Sequence, residues 1–216
     1  MKYKGVIFDL DGTLLDSLLD LGNSMNSALE RLGFPTHPVE AYRFFVGDGI
    51  RVLVQRTLPE GERDEATIEC GVEAMEEEYG RRWDEMTRPY DGVPELLDAL
   101  SARGMPMAIF SNKPDVFTQL MVERLLSQWH FEPVRGARPD TPRKPDPAGA
   151  LAIAAEWGVQ PGACLYLGDT NTDMETARGA GMFAVGATWG FRPGEELEAS
   201  GAEVLVEGPL DLVGLL

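Results

Sequence analysis

Asp9 and Asp11 are separated by one residue at the end of a short apolar run, Gly5-Val6-Ile7-Phe8. Side chains two apart on a strand project to the same face, so two carboxylates start side by side. An ordinary Asp-Gly turn accounts for Asp11-Gly12, but not for a second acid directly after a buried strand. The pattern returns where Leu165-Tyr166-Leu167 leads through Gly168 to Asp169, with Asp173 four residues on. Carboxylates ~5 Å apart repel by about 3 kcal/mol at an effective dielectric near 20, so a converging cluster calls for a cation. Oxygen ligands with no Cys or His beside them select a hard metal, and Mg²⁺ is the expected one. Opposite polarity comes from Ser111-Asn112, after the apolar Met107–Phe110, and from Lys144 in Lys144-Pro145-Asp146-Pro147. The chain has four lysines, and two of them, Lys113 and Lys144, fall beside these polar turns. A lysine ammonium there suits a phosphate oxygen.

These residues need strands to carry them. Besides Gly5–Phe8, apolar runs occur at Met107–Phe110, Cys164–Leu167, Phe183–Val185 and Val204–Val206, and helical patterns precede the later ones. Near-continuous apolar strands alternating with helices read as a parallel sheet covered on both faces. The expected fold class is α/β, a doubly wound Rossmann-like core whose ligands bind at the carboxyl ends of its strands. From Leu14 to about Thr87 the rhythm breaks. Leu18, Leu21, Met25, Leu29 and Leu32 step as one helical stripe, and Ile68, Val72, Met75, Tyr79, Trp83 and Met86 as another. The acids Glu69, Glu73, Glu76, Glu77 and Glu78 are expected mostly off that second stripe, on a solvated face. The domains expected are therefore a core of residues 1–14 and 88–216 and an inserted all-helical domain of residues 15–87.

Composition narrows the function classes. The 24 glycines and 15 prolines, about 18% of the chain, stay below the ~25–30% of low-complexity sequence. A formal charge of −17 with no cluster of bases argues against nucleic acid and against an anionic membrane surface. No run of ~18 apolar residues is present. The start reaches Asp9 after only four core-like residues, too few for a signal peptide. Cys70 and Cys164 form no disulfide or metal pattern, and a cytoplasmic setting is expected. The excess of acids also suits a high-salt interior, a reading that salt-dependent stability tests.

Taken in order, Asp9–Leu14 (DLDGTL), Ser111-Asn112, the KPDP run from Lys144 and the GDTNTD run from Gly168 resemble the four motifs of the haloacid dehalogenase superfamily. The insert after the first motif resembles the cap of its small phosphatases, and the whole is most similar to the phosphoglycolate phosphatase branch. That resemblance implies catalytic roles for Asp9, Asp11, Ser111 and Lys144. Asp9 would attack phosphorus and Asp11 would protonate the leaving oxygen, then activate water. Mg²⁺ would be held by Asp9, the carbonyl of Asp11 and Asp169, with Asp173 orienting its waters. Ser111, the Asn112 amide and Lys144 would hold the phosphoryl oxygens. The implied substrate is a small phosphorylated metabolite, 2-phosphoglycolate first, with sugar phosphates, pyrophosphate and nucleoside monophosphates as alternatives.

Other members of the superfamily fit less well. Dehalogenases lack an acid where Asp11 stands. Leu15 to Tyr90 contains no lysine for a Schiff base, and Leu19–Asn23 lacks the histidine of the hexose-phosphate mutases. Phospho-receiver domains have no helical insert after the first strand. A catalytically idle phospho-ligand-binding relative is the non-enzymatic alternative, although every catalytic position is filled here. For substrate contact within the insert, Gly47, Asp48, Gly49 and Arg51 are the candidates: glycines admit backbone amides, and Arg51 suits a carboxylate. A plain helix–helix turn with Arg51 paired to a nearby acid stays equally open.

Overall fold

The computed structural model describes residues 2–216. The apolar run after Lys4 forms β1 (Gly5–Phe8), all four residues of which are buried. Two short strands, β2 (Leu15–Asp16) and β3 (Arg88–Pro89), precede and follow the helical insert in sequence. The remaining strands are β4 (Met107–Pro114), β5 (Val134–Ala137), β6 (Cys164–Gly168), β7 (Phe183–Ala187) and β8 (Val204–Val206). Six strands make one sheet in the order β5-β4-β1-β6-β7-β8, with every pairing parallel. The order steps outward from β1 in both directions, which opens a crevice at the carboxyl ends beside it.

The chain divides into two compact units, residues 1–15 with 89–216 and residues 16–88. In the first, Ile7 and Tyr166 enter a buried cluster with Ile153, Met174, Ala177 and Leu197. Those partners come from α7 (Ala148–Glu156), α8 (Asn171–Ala180) and α9 (Gly194–Ser200). Phe8, next along β1 and so on the opposite face, meets the Phe131 ring edge-on at 6.4 Å. The unit also holds α5 (Val93–Ala102) and α6 (Asp115–Leu125).

The second unit contains α1 (Leu18–Leu32), α2 (Tyr42–Phe45), α3 (Ile50–Thr57) and α4 (Glu65–Arg82). The spacing that predicts α1 buries Leu18, Leu21, Met25 and Leu29 on one face. Its Asp20, also buried, accepts hydrogen bonds from the N–H groups of Met86 and Thr87 and from the Thr87 hydroxyl. That anchorage draws the backbone away from the helix, so α4 ends at Arg82 and Met86 is exposed, not on the stripe. Glu78 is the acid that the solvated-face reading misplaces. It is buried, and Arg82 (2.9 Å) and Arg81 (3.3 Å) neutralise it.

Two further features of the sheet lie outside the sequence reading. β5 has no apolar run: Val134-Arg135-Gly136-Ala137 is an edge strand that pairs with β4 and is tied to α6, where Gln119 donates to the Val134 carbonyl (2.8 Å) and Gly136 N–H donates to Asp115 (2.9 Å). β4 runs past Phe110 to Pro114, so Ser111, Asn112 and Lys113 lie on a buried strand end and not in a turn.

Candidate active site

β1 delivers Asp9 to the carboxyl rim, where its N–H donates to the Leu167 carbonyl (3.0 Å). β6 ends at Gly168 and delivers Asp169 beside it, and Asp173 follows in the first turn of α8. One oxygen from each of Asp9, Asp169 and Asp173 lies within 4.8 Å of the others, and all three residues are buried. The chain turns tightly around them. Gly12 has φ +81°, and a side chain at Gly12 or Gly190 would collide with Asp169.

Each acid is held differently. Asp169 Oδ1 accepts from the Thr13 hydroxyl (2.8 Å), and its Oδ2 from the N–H of Phe191 (2.8 Å). Asp173 Oδ2 accepts from both the N–H and the hydroxyl of Thr170, while its Oδ1 takes Lys144 Nζ at 2.6 Å. Asp9 Oδ1 lies at an ion-pair distance of 2.9 Å from Lys144 Nζ but accepts no well-aligned hydrogen bond. The Asp11 carboxylate stands outside the trio, with Lys113 Nζ at 2.9 and 3.1 Å from its two oxygens.

The basic and neutral partners come from β4 and from the segment before α7. Lys144 is buried, and Asn112 fixes its backbone from both sides: Lys144 N–H donates to Asn112 Oδ1 (2.9 Å), and Asn112 Nδ2 donates to the Lys144 carbonyl (3.0 Å). The Asn112 side chain is thus committed to placing the lysine. Ser111 is buried, and its Oγ accepts from Lys113 N–H at 3.3 Å.

Burial pushes the Asp9 carboxyl up to about 6, with Lys144 pulling it down and Asp173 adding to the rise. Burial, and then the charges of Asp173 and Asp9, hold Asp169 well above the usual carboxylate range. Burial alone would lower Lys144, yet Asp173 and Asp9 keep it well above the ordinary lysine value. Four carboxyl groups face two ammonium groups here; fully ionised they leave two negative charges, the amount one divalent cation would balance. The oxygen-only donor set, the Asp9 oxygen lacking a well-aligned hydrogen bond and the upward carboxyl shifts all fit a hard divalent metal.

The profile described as haloacid dehalogenase-like hydrolase matches residues 6–187, a span that contains the four acids and both lysines of the site. The chain belongs to this family. Among the curated relatives it resembles is a phosphoglycolate phosphatase of Pseudomonas putida, 35% identical over 179 residues. That match covers 81% of this chain and 65% of the relative, so the chain spans about two thirds of its length. A phosphoglycolate phosphatase of Thiobacillus denitrificans is 33% identical, with 83% of this chain and 81% of the relative covered. The crystal structure of a predicted phosphoglycolate phosphatase from Haemophilus somnus superposes with a TM-score of 0.92 at 28% identity. It covers 100% of this chain and 98% of that one.

Within the helical unit, Gly47 (φ +122°) and Gly49 (φ +92°) flank Asp48, and Gly49 caps α3. Asp48 pairs with Arg56 at 2.5 Å, and Arg51 pairs with Glu65 at 2.5 Å and with Glu69. Those pairings match the helix–helix-turn arrangement. The sequence reading named no partner for Asp169 among Thr13, Gly190 and Phe191, and none for Asp173 in Thr170. Thr13 and Thr170 sit inside the quoted motifs, which was the available signal; Gly190 and Phe191 come from a loop with none. Among the described residues both cysteines are free, and no helix is long and apolar enough to cross a membrane.

Proposed function

We propose that the chain is a Mg²⁺-dependent phosphomonoesterase that works through an aspartyl-phosphate on Asp9. The observation that carries this reading is the convergence of the buried Asp9, Asp169 and Asp173 oxygens beside the ammonium of Lys144. Membership in a hydrolase family and relatives named phosphoglycolate phosphatase support it. Asp9, the Asp11 carbonyl and Asp169 would hold the metal. When bound, it would supply positive charge between nucleophile and phosphoryl group. Asp173, already engaged with Thr170 and Lys144, serves better to orient than to ligate.

In the first half-reaction an Asp9 oxygen attacks phosphorus, the bond to the leaving oxygen breaks, and Asp11 gives that oxygen its proton. In the second, Asp11 takes a proton from water, whose oxygen attacks phosphorus and frees phosphate and the Asp9 carboxylate. Lys144 and Ser111 steady the phosphoryl oxygens throughout, and Asn112 keeps Lys144 where it must be.

The substrate in this reading is a small phosphorylated metabolite in the cytoplasm, 2-phosphoglycolate first. Gly47, Asp48, Gly49 and Arg51 are assigned to its recognition. Arg51 must leave Glu65 and Glu69 to meet a ligand carboxylate. The test is phosphate release from a panel of 2-phosphoglycolate, sugar phosphates, pyrophosphate and nucleoside monophosphates, with Mg²⁺ and with EDTA. The expected result is Mg²⁺-dependent release, fastest from 2-phosphoglycolate. No Mg²⁺-dependent release from any member would overturn the reading, and a different preferred member would overturn the substrate alone.

A further inference from the structure

Lys113 has no part in the steps above, yet it is buried and its Nζ contacts both oxygens of Asp11, at 2.9 and 3.1 Å. Taking an ammonium and a carboxylate out of water together is costly unless their geometry is well matched. Two contacts to one carboxylate also restrict its rotation, which a single contact leaves open. Both ends of the pair are anchored. Lys113 lies on β4, where its N–H donates to Ser111 Oγ (3.3 Å) and its carbonyl accepts from the Thr118 hydroxyl (3.2 Å). Asp11 lies in the loop after β1, where Gly12 N–H donates to the Leu15 carbonyl (2.9 Å). The register Phe8↔Ile109 places the two strands side by side, so the pairing follows from the sheet itself.

We propose that Lys113 is a positioning residue for Asp11, aiming its carboxyl group at the leaving oxygen and then at the hydrolytic water. The proton inventory is unchanged by this contact. In the acid step one Asp11 oxygen carries the proton and the other accepts from Nζ; in the base step both accept. The proposal rests on the reading of Asp11 as acid and base. Sequence alone assigned Lys113 differently, as a partner for phosphate oxygen, and the contact with Asp11 redirects it.

The leaving group separates a positioning role from a structural one. A 4-nitrophenolate departs with little need of a proton, whereas an alkoxide requires one. Lys113→Met should lower kcat for 2-phosphoglycolate, or for the best alkyl phosphate of the panel, by about tenfold to a hundredfold. That is part of the 10²–10⁴-fold that general acid–base catalysis supplies. With 4-nitrophenyl phosphate the same variant should give a burst of nitrophenolate close to the enzyme concentration, followed by slow turnover. In the Asp11→Asn background, Lys113→Met should cause no further loss; with Asp11 present, Lys113→Arg should keep part of the rate that Lys113→Met loses.

Three results would overturn the proposal: no burst of nitrophenolate ahead of the slow turnover of 4-nitrophenyl phosphate, an undiminished loss in the Asp11→Asn background, or a raised KM with kcat unchanged. The last would make Lys113 a substrate contact. Circular dichroism and thermal melts accompany each variant. If Lys113→Met does not fold, Lys113→Gln and Lys113→Arg carry the same cycle. Asp11→Asn with wild-type turnover of the alkyl phosphate would instead overturn the reading of Asp11 on which the proposal stands.

Discussion

Two sets of opposite charges in this protein both pair a basic side chain with acidic ones and differ in almost everything else. At the carboxyl rim of the sheet, Lys144 is enclosed with Asp9 and Asp173, and Lys113 with Asp11, at side-chain exposures of 10% or less. In the helical unit, Arg51 with Glu65 and Glu69, and Arg31 with Glu77, are mostly open to solvent. Solvent screens the second set and side-chain entropy opposes it, so such pairs contribute little to stability. The first set was stripped of water when the sheet packed, so each member depends on its partner. The difference also appears in lysine usage: a chain with four lysines commits two of them to this rim. In the proposed reading the concentrated charge at buried strand ends carries the chemistry, whereas the exposed pairs of Arg31 and Arg51 serve solvation of the helix faces.

The largest effect expected is that of Asp9→Asn, which should reduce phosphate release to background while the far-ultraviolet circular dichroism stays that of the wild type. Lys144→Met should come next. It leaves Asp9 and Asp173 buried without their cation, and breaking such a pair costs roughly 3–5 kcal/mol, readable in urea denaturation without added metal. Thr13→Val removes a hydroxyl that orients Asp169 and should weaken Mg²⁺ activation by about tenfold to a hundredfold. Its test is a titration of activity against Mg²⁺.

The pH dependence is subtler. Because Asp9 is raised from 3.8 to about 6 in the fold, the native state keeps a proton there that the unfolded chain has released. Without a cation, its contribution to stability is present below about pH 4 and lost as pH rises through about 6. The melting-temperature rise on adding Mg²⁺ should therefore grow across that window and be smaller in Asp9→Asn. Arg51→Ala should have the smallest effect on stability, with a melting temperature within scatter of wild type. A loss as large as that of Lys144→Met would break the contrast between the two charge sets.

How far the sequence revealed these features depended on how local their causes are. The four acids were legible because each follows or closely trails an apolar strand, and α1 because its stripe runs unbroken from Leu18 to Leu29. β5 was not legible: an edge strand with Arg135 and Gly136 is held by β4 and by Asp115 and Gln119 of α6, partners that pattern reading along one segment cannot see. The end of α4 was missed for a similar reason, since Asp20, more than sixty residues earlier, bonds the backbone at Met86 and Thr87. At the rim, residue types pointed to the acids and lysines, but not to their pairing. Lys113 finds Asp11 across 102 positions of sequence, and Asn112 finds the Lys144 backbone across 32.

The most direct test of the central claim is to trap the covalent intermediate. The enzyme would be quenched during turnover of its best phosphate ester with Mg²⁺, reduced with borohydride and peptide-mapped. An aspartyl-phosphate on Asp9 is reduced to homoserine at that position, in wild type and not in Asp9→Asn. Sustained turnover with an unmodified Asp9, or with the mark on Asp169 or Asp173, would contradict the account.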